Sequence, residues 1–330
     1  MNIVMIIPTG IGCVIGGHAG DAAPAAKLLG SCGDRIILHP NVVNASDINE
    51  MPDNAWYVEG SILDRFLEGS IELEETYQNR ILLAVNYPVK PEIINAVSAA
   101  RATIGAYIRI VELKTPLKMI GTLKNNVATG EITGWEELIE QVWQYDLDAL
   151  AIASIIEVSD KVCLKYYKEG GTNPWGGVEA KLSKLLASEL DMPVAHAPVE
   201  GNSEETQAAI YNNPQNPTMA AEAVTNCYLH CVLKGLHTAP RIGKGLSVDD
   251  IDVMVSPFGC WSRPHHACVE AKIPIIMVKE NKCVLNHEPE SEVILVKNYL
   301  EAAGAIMAMK AGISRESIHR PLEPTIILKD

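Results

Sequence analysis

Short runs rich in Ile and Val recur along the chain, and stretches with helical spacing lie between them. This alternation limits the fold more than any other feature. Branched apolar runs without polar alternation suit strands buried on both faces. Strands of that kind separated by helices are joined by crossovers, which makes the sheet largely parallel. The expected strands are 2–8, 35–39, 81–86, 104–111, 149–154, 193–196, 252–256 and 274–278, with a further one at 325–328. The expected helices are 20–31, 61–68, 91–102, 134–145, 177–189, 203–212, 217–234, 264–272 and 292–311. Pro217 suits a first turn and Gly235 a helix exit, while Thr133 is a candidate cap ahead of Glu136 and Glu137. The expectation is a three-layer, Rossmann-like α/β fold, a largely parallel sheet flanked by helices.

A chain of 330 residues is long enough for one large α/β unit or two smaller ones. The irregular stretch 112–133 is the expected divide, giving regions 1–120 and 121–330 unless the whole forms one unit. Three segments share the plan strand, polar loop, helix, strand: 3–44, 149–202 and 252–281. Common βαβ construction explains this, as does a repeated unit whose three polar loops converge.

Composition narrows the partners. A net charge of −14 argues against nucleic acid and against an anionic membrane surface. A small anionic substrate stays open, since a pocket need not share the net charge. The 8 cysteines include no CxxC pair and no zinc-finger spacing, so they read as reduced thiols in the cytoplasm. The apolar start, Met1 to Pro8, lacks a basic leader region and reads as a buried strand. The expected partner is a small molecule, and self-association is compatible with the sequence.

The segments IPTGIGC, GGHAGDA, HPNVVNASDINEMP, NPWGGVEA, PVAHAP and SPFGCWSRPHHACVEAKIPII carry a family resemblance. Together they resemble an uncharacterised family, domain of unknown function 3326, found in cyanobacteria and related lineages. The likeness runs from about residue 2 to 290 and implies no reaction and no catalytic residues. The site must therefore be read from chemistry.

Ligands of open α/β sheets bind beyond the carboxyl ends of strands. The loops there carry Thr9, Cys13, His18 and Asp21; His39, Asn41, Asn44 and Asp47; His196 and Glu200; and Ser256, Cys260, Arg263, His265 and His266. Each could also be an ordinary cap or loop anchor. The glycines Gly10, Gly12 and Gly16 follow a strand and precede a helix, a context suited to binding an anion through backbone N–H groups. Their spacing is GxGxxxG, and the second strand ends in His39 instead of a ribose-binding acid, which argues against NAD.

Cys260 stands near Arg263, His265 and His266, and cationic neighbours activate a thiol. Cys13 occupies the matching place in the first segment. Two such cysteines facing one pocket can act as an acid/base pair, as in cofactor-independent amino-acid racemases. His18, His39 and His196 are candidate ligands for a divalent metal, although no fixed metal-binding spacing is present. The stretch 166–177, with Asn173 and Trp175 ahead of Glu179, reads as a mobile lid.

The functional expectation is a cytosolic enzyme acting on a small polar or anionic metabolite. Cys260, His266, His18 and Cys13 are its candidate catalytic groups. Thr9, Gly10, Gly12, Asp21, His39, Asn41, Asn173, Trp175, Glu179, His196 and Arg263 are its candidate ligand contacts. A metal-dependent hydrolase and a non-catalytic metabolite-binding module are the alternatives. The cofactor is either absent or a divalent metal.

Overall fold

The computed structural model describes residues 1–18, 21–43, 50–199, 203, 204, 208, 217, 218, 220 and 228–328. Asn44, Asp47, Glu200, Cys227, most of the expected helix 203–212 and most of the expected helix 217–234 before Tyr228 lie outside the described residues.

The strands are β1 (Asn2–Met5), β2 (Arg35–Leu38), β3 (Ala55–Tyr57), β4 (Leu73–Glu74), β5 (Arg80–Asn86), β6 (Tyr107–Leu113), β7 (Lys118–Lys124), β8 (Val127–Thr133), β9 (Ala149–Glu157), β10 (Val194–Val199), β11 (Arg241–Ile242), β12 (Val253–Cys260), β13 (Ile275–His287) and β14 (Ile294–Val296). The helices are α1 (Ala23–Gly30), α2 (Gly60–Leu67), α3 (Pro91–Ile104), α4 (Trp135–Val142), α5 (Asp160–Glu169), α6 (Gly176–Leu190), α7 (Tyr228–His237), α8 (Arg263–Glu270) and α9 (Tyr299–Lys310).

β1 is the centre of the first sheet because Ile3, Val4 and Met5 are apolar on both faces and fully buried. It pairs in parallel with β2 on one side and β12 on the other. The sheet runs β14-β13-β12-β1-β2-β3, parallel throughout. Counting only these six strands, the order is the 3-2-1-4-5-6 of a doubly wound sheet. The second sheet, β6-β5-β9-β7-β8 with β10 beside β9, is built from the chain between β3 and β12. Helices flank both sheets: α1 packs with α9, α2 with α8, α3 with α7, and α4 with α6. The three-layer, largely parallel α/β architecture is the one the alternation of apolar runs leads to. Residue 120, taken as a divide, lies within β7.

Several elements differ from expectation. Residues 118–133 form an antiparallel hairpin, Lys124 pairing with Val127 around Asn125 and Asn126. Both asparagines have positive φ, 51° and 62°, as a two-residue hairpin turn requires. Residues 160–169, of which 166–169 were assigned to a lid, are helix α5. β13 continues to His287, well beyond 278. Residues 325–328 form no strand and lie exposed.

Candidate functional site

A cavity of about 680 Å³ opens where the carboxyl ends of β1, β2 and β3 approach α6 and β10. Its size suits a small-molecule ligand. Of the expected contacts, Thr9, Gly10, Gly12, His39, Asn41, Asn173, Trp175, Glu179 and His196 all line it. They come from the first and second of the segments that share the strand–loop–helix–strand plan, most from loops, Glu179 from α6 and His196 from β10.

The glycine loop closes this space against α6. Gly10 has φ +78°, and a Cβ there would stand 3.1 Å from the Gly177 backbone. Gly12, at φ +58°, would press a Cβ onto the Thr172 hydroxyl. Glycine is therefore demanded by both torsion and proximity. The Gly10 carbonyl accepts from Ala128 N at 2.8 Å, which anchors the loop on β8.

The most organised chemistry in the wall centres on His196. Its Nε2 lies 2.9 Å from Ser154 Oγ and its Nδ1 lies 3.0 Å from Glu179 Oε1. The imidazole is enclosed, while about a quarter of the Glu179 side chain (26%) is exposed. With the proton on Nδ1, the ring donates to Glu179 and accepts from the Ser154 hydroxyl. The result is a hydroxyl–imidazole–carboxylate chain whose carboxylate end faces the cavity.

Other lining groups are shaped by burial. Asn41 N donates to His39 Nδ1 at 3.2 Å, and burial pushes the His39 pKa down to about 4. His39 is thus a neutral anchor at neutral pH. Asn41 Nδ2 donates to the Gly16 carbonyl at 2.6 Å, which fixes the far end of the glycine loop. Asn173 Oδ1 accepts from Trp175 N and Gly176 N, at 3.0 and 3.2 Å, at the start of α6. Glu59 Oε2 accepts from Ser61 N and Ile62 N at the start of α2, and burial raises its pKa. Burial, followed by the charges of Glu179 and Glu59, raises the pKa of Tyr57.

The remaining candidates lie elsewhere. His18 is buried, with Nδ1 2.7 Å from the Tyr166 hydroxyl and the two rings stacked. Asp21 Oδ1 accepts from Gly16 N at 2.8 Å, a loop-anchoring role, and burial raises its pKa. Cys260 is fully buried, and its thiol donates to the Pro257 carbonyl at 3.0 Å. Burial pushes its pKa up to about 12. Arg263 pairs with Glu68 at 2.5 and 2.7 Å. His266 is half exposed, 3.9 Å from Glu290. His265, 3.8 Å from the Cys260 sulfur, has its pKa pushed down to about 4 by burial. The picture of a thiol activated by three cations is corrected: one cation is paired elsewhere, one faces outward, and one is uncharged.

Two further expectations change. Among the described residues, no three His, Cys, Asp or Glu side chains converge as metal ligands, and His18, His39 and His196 are not brought together as a set. Trp175 is half-buried and packs on Tyr166 and Tyr167, its ring centroid 5.7 and 5.8 Å from theirs. It belongs to an aromatic cluster, and the stretch 166–177 comprises the end of α5, a turn and the start of α6. Sequence reasoning missed Ser154, Glu59 and Tyr57. Ser154 did leave a signal, being the one hydroxyl in the otherwise apolar run Ala149–Ile156.

Comparisons with known proteins add a family and no reaction. An uncharacterized lipoprotein of Synechococcus sp. is 33% identical over 335 residues, spanning 95% of this chain and 92% of that protein. Its name overturns the cytoplasmic location inferred from the cysteines, since reduced thiols alone do not fix a compartment. No solved structure matches the chain. A family model described as a protein of unknown function (DUF3326) matches residues 2–319. The chain belongs to this family of proteins of unknown function.

Proposed function

We propose that the cavity is an active site for a small polar metabolite and that Glu179 moves a proton there, positioned by His196 and Ser154. One observation carries this reading: the chain from Ser154 through His196 to the cavity-facing Glu179, at 2.9 and 3.0 Å. A binding module needs shape and donors, and has no use for a buried relay behind a carboxylate. Thr9, Asn41 and the glycine loop supply the polar wall opposite.

The test begins with a thermal-shift screen of polar metabolites against the full chain. Hits are then followed for conversion by mass spectrometry. Glu179→Gln should keep binding and lose turnover by about a hundredfold or more. Conversion by Glu179→Gln at the wild-type rate would exclude the role. The name of the lipoprotein relative supports one proposal on location, that the protein works while lipid-anchored at a membrane surface. Release from membranes by detergent but not by salt would support it, and recovery in the salt-soluble fraction would not.

A further inference from the structure

Behind the glycine loop, away from the cavity, two cysteines from distant parts of the sequence face each other. Residues 11–14 run antiparallel to β13. Val284 N donates to the Ile11 carbonyl and Val14 N to the Lys282 carbonyl, both at 2.9 Å. Between those two bonds β13 has one residue, Cys283. The loop has two, Gly12 and Cys13, a bulge made by the positive φ of Gly12. Only Cys13 carries a side chain there, so the backbone presents it to Cys283. The Cys283 thiol donates to the Gly259 carbonyl at 2.9 Å and the Cys13 sulfur lies 4.0 Å from the Pro8 carbonyl, and the two thiols are near enough for each to shift the other's pKa. Both thiols are free and buried.

We propose that Cys13 and Cys283 are a redox-modification site, forming a reversible disulfide that ties the glycine loop of the cavity to β13. Cross-strand neighbours between hydrogen-bonded positions are the closest side-chain pairs in an antiparallel ladder. Cys283 is the attacking group: the Cys13 thiol beside it lowers its pKa to about 6. Its thiolate attacks a low-molecular-weight disulfide, expelling one thiolate and leaving a mixed disulfide on Cys283. The Cys13 thiol passes its proton to the expelled thiolate and attacks the Cys283 sulfur, releasing the second small thiolate, which takes up from solvent the proton that Cys283 gave up on ionising. Two protein thiols are oxidised and one small disulfide is reduced to two thiols.

Cys260 lies close by but stands in register with His287 of β13, not with Cys283. Its thiol is directed to its own Pro257 carbonyl and rests against His265. Cys32, Cys163 and Cys268 have their sulfurs on Leu28 O, Val158 O and Met254 Sδ, none of which belongs to the glycine loop or β13. The consequence for the cavity is direct, because Gly10 and Gly12 line it on the other side of the same loop. The disulfide links a cavity wall covalently to the first sheet.

The test treats the folded full-length protein with oxidised glutathione near neutral pH, caps free thiols with N-ethylmaleimide, and maps peptides without reduction. The expected product is a cross-linked pair of peptides containing Cys13 and Cys283, lighter by two hydrogen atoms and reversed by dithiothreitol. The same link should form in Cys260→Ser, and amide exchange at Val14 and Val284 should slow by about threefold or more on oxidation. Recovery of Cys13 and Cys283 as capped thiols would overturn the proposal, as would glutathione adducts without the link or a Cys13–Cys260 link in the wild type. The wild-type map decides alone if Cys260→Ser does not fold.

Discussion

Two histidines, His39 and His265, were read as reactive and are held neutral by burial, each with its pKa pushed down to about 4. A histidine in the unfolded chain titrates near 6.5. Between those values the unfolded chain binds protons that the folded protein refuses. Stability therefore falls as pH falls from about 6.5 towards 4, and is intact above that window. Urea midpoints across this range should decline, and His39→Asn, which keeps an acceptor for Asn41 N, should flatten the decline. An unchanged slope would mean that His39 is protonated in the folded state. Trp175 belongs at the same scale. Its contacts with Tyr166 and Tyr167 predict that Trp175→Ala costs about 2 kcal/mol of stability, below the range for a fully buried Trp because the ring is half-buried. Urea unfolding checks this, and no loss would restore the mobile lid. Residue types at strand ends could be read from sequence, and nine of the expected contacts do line the cavity. Side-chain direction could not. Arg263 follows Cys260 by three positions, yet the first turn of α8 aims it at Glu68, far away in sequence.

At the scale of elements, parallel strands were the easiest to read, since Ile and Val on both faces leave little alternative. The hairpin β7–β8 was read as irregular because its polar, half-exposed strands resemble a linker. The Asn125-Asn126 pair was the missed signal. Both residues hold left-handed torsions, and the Asn126 carbonyl accepts from the Thr172 hydroxyl at 2.6 Å. Asn126→Val should cost about 1–2 kcal/mol, because a branched side chain is forced into that region. Asn126→Gly should be tolerated within about 0.5 kcal/mol, since glycine accepts the torsion freely. Thermal unfolding of the pair tests this, and equal midpoints would show that the turn is not held as described. Helix α5 escaped notice because Gly170 and Gly171 suggested an open loop through its final turn.

For the whole molecule, the chain starts its first sheet, builds a second one, and returns to complete the first. The three similar segments each pair their outer strands in parallel, β1 with β2, β9 with β10, and β12 with β13, the first and third across one helix and the second across two, α5 and α6. The loops of the first two meet at the cavity. The third does not, because residues 11–14 lie along β13 and leave Cys260 behind the glycine loop. Pairing between residues so far apart in sequence is what single-chain pattern reading cannot see, and it separates the groups lining the cavity from the cysteine site. The most direct test of the cavity as the functional centre is hydrogen exchange with and without a metabolite found in the thermal-shift screen. Protection at 8–12, 39–41, 173–180 and 194–199, with 257–266 unchanged, is the predicted result; protection confined to 257–266 would contradict it and return the site to Cys260.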